Sequence, residues 1–137
     1  MSRILLDTSG YSQYMRGHPE LQDPVQRAAE VHLNAVVVGE LLAGFKKGSR
    51  TRQNEERLRR FVVTARVRIL TVDEETAQRY AAIKDYLRRE GTPIPANDLW
   101  IAATAFQHSL RLLTLDEHLL RVPQIIVDFF EPLTSSK

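Results

Sequence analysis

Three carboxylates stand just beyond apolar runs: Asp7 after Ile4-Leu5-Leu6, Glu40 one glycine after Ala35-Val36-Val37-Val38, and Asp116 one leucine after Leu112-Leu113-Thr114. A fourth, Asp98, opens an alanine-rich stretch behind the stiff segment Pro93-Ile94-Pro95. If the apolar runs are strands of an open α/β sheet, the residues past their carboxyl ends face one crevice, which is where such sheets bind ligands. Asp98 joins them only if its helix start points the same way. Carboxylates gathered in a partly dry cleft repel one another, so either their pKa values rise or a cation neutralises them. An all-oxygen set suits magnesium or manganese over zinc, and magnesium keeps waters that can attack phosphorus. The chemistry this predicts is phosphodiester hydrolysis assisted by one or two ions. Each acid also has an ordinary reading: Asp7 and Asp116 as helix N-caps, Asp98 as a first-turn acid beside an Asn97 cap, and Glu40 as a surface glutamate. Asp73 in Thr71-Val72-Asp73-Glu74 repeats the local pattern of Thr114-Leu115-Asp116-Glu117, so position after a strand leaves the choice between those two open.

Positioning these side chains requires alternating strands and helices. Arg3-Ile4-Leu5-Leu6 reads as a strand stopped by Asp7-Thr8-Ser9, and Tyr11, Tyr14 and Met15 give helical spacing up to Gly17. A second helix is predicted from Asp23 to about His32 with Pro24 in its first turn. Ala35-Val36-Val37-Val38 is uniformly apolar, as a strand covered on both faces should be. A helix follows over roughly Arg52 to Thr64, with Leu58, Phe61, Val62 and Ala65 inward and arginines outward. Ile69-Leu70-Thr71-Val72 reads as a strand, and a long helix runs from Asp73 to Glu90, ended by Gly91. A further helix spans Asn97 to about Ser109, and Leu112-Thr114 and Ile125-Val127 are strands around a short turn at Asp116 to Leu120. The alternation predicts an α/β layered domain with a mostly parallel sheet, because parallel neighbours need crossovers of helical length.

With 137 residues, 43% of them hydrophobic, the chain can bury one real core. It has no cysteine, which excludes a disulfide framework and thiolate metal sites. MSRILLDTSG reaches an acid after three apolar residues, unlike a secretory leader, so the expectation is a soluble, cytoplasmic protein without a membrane association. The net charge is only +2, yet residues 46 to 68 hold nine Lys/Arg against two Glu. Such a segment is the footprint expected for a polyanion, or a solvated helix face. Gly39 to Lys46 resembles a phosphate-cradling loop, but Phe45 takes the lysine position and Glu40 would sit among phosphates. His18, His32, His108 and His118 show no ligand spacing, and His118 reads as a surface residue. Trp100 and Phe106 read as core or protein interface.

In order along the chain, Leu5-Leu6-Asp7-Thr8-Ser9, Val38-Gly39-Glu40-Leu41, Asn97-Asp98-Leu99-Trp100-Ile101-Ala102-Ala103 and Leu113-Thr114-Leu115-Asp116 resemble the motifs of a PIN domain, specifically the VapC-type toxins of bacterial and archaeal toxin-antitoxin modules. The resemblance implies an α/β, PIN-like three-layer domain over residues 1–131, a central mostly parallel sheet flanked by helices, and a tail over 132–137. It implies a magnesium-dependent endoribonuclease, with manganese as a possible substitute, whose metal-activated water attacks RNA phosphorus and which thereby inhibits translation. Asp7 and Asp98 are then principal metal ligands, Asp116 a further ligand, and Glu40 the acid that orients water or metal. Thr8, Asn97 and Thr114 support those carboxylates. Asp73 has no counterpart in the family's set, which favours Asp116. Leu119 departs from the aromatic many relatives carry, at a packing position. A small antitoxin that blocks the site and a homodimer are also implied. For RNA contact the candidates are Lys46, Lys47, Arg52, Arg57, Arg59 and Arg60. A phospho-acceptor receiver domain, the rival enzyme-like fold, would need paired acids after the first strand and a lysine after the last; Leu6-Asp7-Thr8 and Val127-Asp128-Phe129 supply neither. A non-catalytic interaction protein of the same fold would have no need of all four acids.

Overall fold

The computed structural model describes residues 2–133; part of the expected tail, 134–137, lies outside them. Five strands, β1 (Arg3–Leu6), β2 (Glu30–Asn34), β3 (Val67–Leu70), β4 (Arg111–Thr114) and β5 (Ile126–Phe129), form one sheet in the order β3-β2-β1-β4-β5. Every pairing is parallel, as the alternation of strands and helices predicts. Ile4, Leu5 and Leu6 are consecutive and all buried, so the central strand is covered on both faces, as in a three-layer α/β domain.

The crossovers are α1 (Thr8–Met15) and α2 (Pro19–Arg27), α3 (Ala35–Lys47) and α4 (Thr51–Val62), then α5 (Glu74–Glu90) and α6 (Ala96–His108). A 3-10 turn, Glu117–Arg121, joins β4 to β5. Leu119 in that turn is fully buried, so it packs where an aromatic was the alternative. Gly91 ends α5 with φ 73°, the left-handed conformation in which glycine meets no steric penalty. No helix among the described residues is long and apolar enough to cross a membrane.

Two expected elements are placed differently. Ala35-Val36-Val37-Val38 is not a strand but the first turn of α3. Asn34 caps it, its side chain accepting from the Val37 N–H at 2.8 Å, and Val37 and Leu41, one turn apart, face the core. The strand is the preceding segment, Glu30-Val31-His32-Leu33-Asn34. Its Glu30 and His32 disguise it, although they pair with each other at 3.0 Å and Glu30 also meets Arg3 at 3.2 Å. For the same reason the helix expected from Asp23 to His32 is instead Pro19–Arg27: Val31 to Leu33 are claimed by the ladders to β1 and β3. β3 begins two residues earlier than expected, leaving Thr71 and Val72 as the approach to α5.

Strand order reverses at β1, whose neighbours are β2 on one side and β4 on the other. Such a switch point leaves a crevice at the strand C-termini, because the connections on its two sides diverge. Asp7 leaves β1 there and Asp116 leaves β4.

Candidate active site

Asp7 is 3% exposed and caps α1, its Oδ1 accepting from the Gly10 N–H at 2.7 Å and from the Ser9 hydroxyl at 2.9 Å. Its Oδ2 accepts from the Thr114 hydroxyl. Thr114 Oγ1 in turn accepts from the Asp116 N–H at 2.9 Å, and Ser9 Oγ accepts from the Leu115 N–H at 3.0 Å. The ends of β1 and β4 are thus stitched together through the groups that hold Asp7. Gly10 permits this approach: a Cβ there would lie 2.6 Å from the Leu113 carbonyl oxygen. Burial pushes the Asp7 carboxyl up to about 6, against the hydrogen bonds from Thr114, Gly10 and Ser9 and with a smaller push from the Asp116 charge.

Asp98 lies in the first turn of α6, a helix with no side-chain cap. Its Oδ2 is buried and has no hydrogen-bond partner; the nearest cationic candidate is His118 Nδ1 at 3.7 Å. Burial first, then the adjoining Asp116 carboxyl and the charges of Asp7 and Glu40, push Asp98 up to about 8. Asp116 goes the other way. Burial acts upward on it, but its hydrogen bonds with Asp98 and with the His118 N–H and imidazole hold it below the usual carboxylate range. The two carboxyls are thus pushed in opposite directions, Asp98 up and Asp116 down.

Glu40 reaches the site from α3 rather than from a strand end. The Thr8 hydroxyl donates to its Oε1, and the Asn97 amide donates to its Oε2 at 2.7 Å. Asn97 is therefore not the helix cap its position suggests. All four acids line a single cavity of about 260 Å³ together with Thr8, Ser9, Ser12 and Ile101. Asp73 is elsewhere: it caps α5 in a reciprocal box with Thr76 and accepts from Gln107 at 3.1 Å.

Sequence reasoning missed three contributors. His118, read as a surface residue, places Nδ1 2.8 Å from Asp116 Oδ1, and ligand atoms of Asp98, Asp116 and His118 lie within 4.8 Å of one another. Ser9 was passed over because a serine after a strand signals a cap before anything else, and Ser12 because it is a polar residue inside a short helix; the pairing of β1 with β4 is what brings Ser9, already bonded to Asp7, to Leu115. The donor set fits a hard divalent cation, since it combines an unpartnered buried carboxylate oxygen with three more carboxylates whose mutual repulsion a cation relieves.

A larger groove of about 470 Å³ adjoins this cavity, with Thr8, Ser12 and Glu40 lining both. Among the basic candidates Arg57 lines it, joined by Arg16 and Arg50. Lys46 pairs with Glu55 at 3.5 Å and Arg59 with Glu56 at 3.1 Å; they, Lys47, Arg52 and Arg60 are exposed without lining the groove. Trp100 is half-buried, stacked on Tyr80 at 4.0 Å, and Phe106 lies under the Arg79 guanidinium at 4.7 Å.

The PIN domain family model matches residues 4–125. The chain is 36% identical over 121 residues to toxin FitB of Neisseria gonorrhoeae, covering 82% of this chain and 87% of that one. A crystal structure of FitAcB from the same organism superposes with a TM-score of 0.71 at 31% identity, over 90% of this chain and 95% of the other. Ribonuclease VapC4 of Mycobacterium tuberculosis is 32% identical over 95 residues, 69% of this chain and 73% of its own. The fold also matches a chain of VapBC2 from Rickettsia felis, solved bound to a promoter DNA fragment, with a TM-score of 0.82 at 23% identity over 93% and 98% of the two chains.

Proposed function

Because the chain belongs to the PIN-domain family, we propose that its acid pocket cuts RNA as a divalent-metal-dependent endoribonuclease of the VapC type, the toxin of a toxin-antitoxin pair. The observation that carries this reading is the convergence of Asp7, Glu40, Asp98 and Asp116, drawn from four separate elements, on one cavity. Relatives described as a toxin and as a ribonuclease support it.

Asp7, Asp98 and Asp116 would hold the ion, with the His118 imidazole hydrogen-bonded to Asp116 and fixing its orientation. A magnesium ion, or manganese in its place, supplies Lewis-acid polarisation of the phosphoryl oxygens and neutralises the acids. Glu40, clamped on both oxygens by Thr8 and Asn97, orients the attacking water in line with the scissile bond. Thr114, through Asp7 and the Asp116 N–H, keeps two of the ion-holding carboxylates in register. In this reading the protein acts in the cytoplasm as a homodimer, lowers translation by cutting RNA, and is restrained by a small antitoxin that covers the site; a solved relative from Mycobacterium tuberculosis described as a member of a toxin-antitoxin family supports the antitoxin partner.

Incubation with RNA in magnesium, with and without EDTA, tests the reading. Cleavage is expected in magnesium and absent in EDTA. Asp98→Asn should lose more than the roughly 10–100-fold that removing a group behind a metal ligand costs. Cutting that survives EDTA, or an Asp98→Asn protein as active as the parent, would overturn it.

A further inference from the structure

The groove beside the acid pocket has a regular construction. One wall is a single face of α1, with Thr8, Ser12 and Arg16 spaced four apart; the other is a face of α3, with Glu40 and Gly44, running to Gly48 just past its end. From Glu40 to Gly48 the helical rise amounts to about 12 Å. At about 3.4 Å per stacked nucleotide, that accommodates roughly three. Its volume of about 470 Å³ also falls within the roughly 300–1,000 Å³ of pockets that take small organic groups.

Charge reverses along the groove. It starts among acids and ends at Arg16, Arg50 and Arg57, none of which forms an ion pair with a described residue. Arg57 is aimed rather than loose, because its Nη2 donates to the Met15 carbonyl at 3.1 Å. Gly44 widens the groove between its two ends. A glycine inside a helix costs about 1 kcal/mol relative to alanine, and here a Cβ would meet nothing within 4 Å. The absent side chain leaves the floor of the groove open at this position, although Gly39 on the same helix, outside the groove, is equally unhindered. We infer that the groove seats the RNA strand flanking the cut linkage, with its phosphates on Arg16, Arg50 and Arg57 and its backbone over Gly44. This rests on the nuclease reading above. An acidic peptide is the competing occupant, but its carboxylates would meet Glu40 at the near end, whereas an RNA strand is the occupant the adjoining acid pocket is read to cut.

Two measurements test this independently of turnover. Binding of a labelled single-stranded RNA is followed by anisotropy, over a range of salt, in an Asp98→Asn background that does not cut. Cleavage of a dinucleotide and of a longer oligoribonucleotide is compared in the otherwise native chain. Arg50→Ser with Arg57→Ser should weaken oligonucleotide binding at least about tenfold, equivalent to about 1.4 kcal/mol, and flatten the salt dependence by about 0.7 in log-log slope for each phosphate no longer neutralised. Gly44→Leu, which changes no charge, should weaken binding similarly. Both variants should raise KM for the oligonucleotide far more than for the dinucleotide, which is too short to span from the acid pocket to the arginines. Arg88→Ser with Arg89→Ser on α5 is the control for the reduced net charge. Unchanged affinity and salt slope in the groove variants, an equal loss on both substrates, or an acidic peptide displaced by the groove substitutions while RNA is not, would each overturn the assignment. A parent protein that binds RNA through the groove but never cuts it would instead refute the nuclease reading and leave the groove standing.

Discussion

The carboxylate of Asp7 caps a helix and, from the same position, borders the acid pocket, so capping does not take this residue away from the site. Keeping it ionised at neutral pH, when its carboxyl titrates at about 6 rather than 3.8, costs the fold on the order of 3 kcal/mol. Asp7→Asn keeps the cap and removes that charge. The expected result is a higher Tm in the absence of metal together with loss of RNA cleavage; a lower Tm by calorimetry would contradict it. The rivalry of Asp73 with Asp116 resolves at the same scale. Asp116→Asn is expected to abolish most cleavage and Asp73→Asn to leave it near the parental rate, because Asp73 is occupied with Thr76 and Gln107. Equal activities in a nuclease assay would remove the basis for the distinction. Asp7 and Asp116 were legible from position after strands, whereas Asp98 and Glu40 needed the family pattern, since one opens a helix behind a proline-rich segment and the other sits inside a helix. His118 was not, because its role depends on how the 3-10 turn after β4 folds back toward α6, and no local spacing encodes that.

At the scale of elements, what mattered most was which segment formed the second strand. Ala35-Val36-Val37-Val38 is β-branched and apolar, and local propensity favours a strand; the Asn34 cap and the buried Val37 and Leu41 made it a helix instead. Glu40 is consequently presented from a helix face, one turn in, and not from a sheet end. The error left the prediction of its convergence intact because β2 and α3 are joined without a loop, so the chain still leaves the sheet at the same edge. α1 approaches β4 closely through Gly10. Gly10→Ala would gain up to about 1 kcal/mol of helix propensity, but the 2.6 Å approach to the Leu113 carbonyl is overpacking against backbone, which costs about 1–3 kcal/mol. The expected outcome is net destabilisation in denaturant unfolding with a fall in cleavage as Asp7 is displaced. A stabilised, fully active variant would show that the helix can withdraw freely.

Over the whole molecule the parallel sheet and its layers followed from alternation alone, whereas the strand order did not, since sequence does not say that β4 inserts beside β1. That order creates the crevice, and it has an energetic signature. Asp7 and Asp98 hold protons to about pH 6 and about pH 8, above the 3.8 of the unfolded chain, so without metal the stability they contribute is full at low pH and is lost as pH rises through those values. A divalent cation binds the ionised carboxylates and reverses the loss. Tm without metal should therefore fall from about pH 5 to about pH 8, and the rise produced by magnesium should be larger at the higher pH; a magnesium effect independent of pH would contradict the pairing of cation and acids.

The hydrogen bond between Thr114 and Asp7 spans 107 positions of sequence. During synthesis β1 emerges well before β4, and a domain folds as a unit. Until β4 emerges, Asp7 has no Thr114 to hold it and neither Asp98 nor Asp116 has a fixed neighbour. The acid pocket is thus assembled only once the segment carrying Thr114 and Asp116 has emerged to meet Asp7.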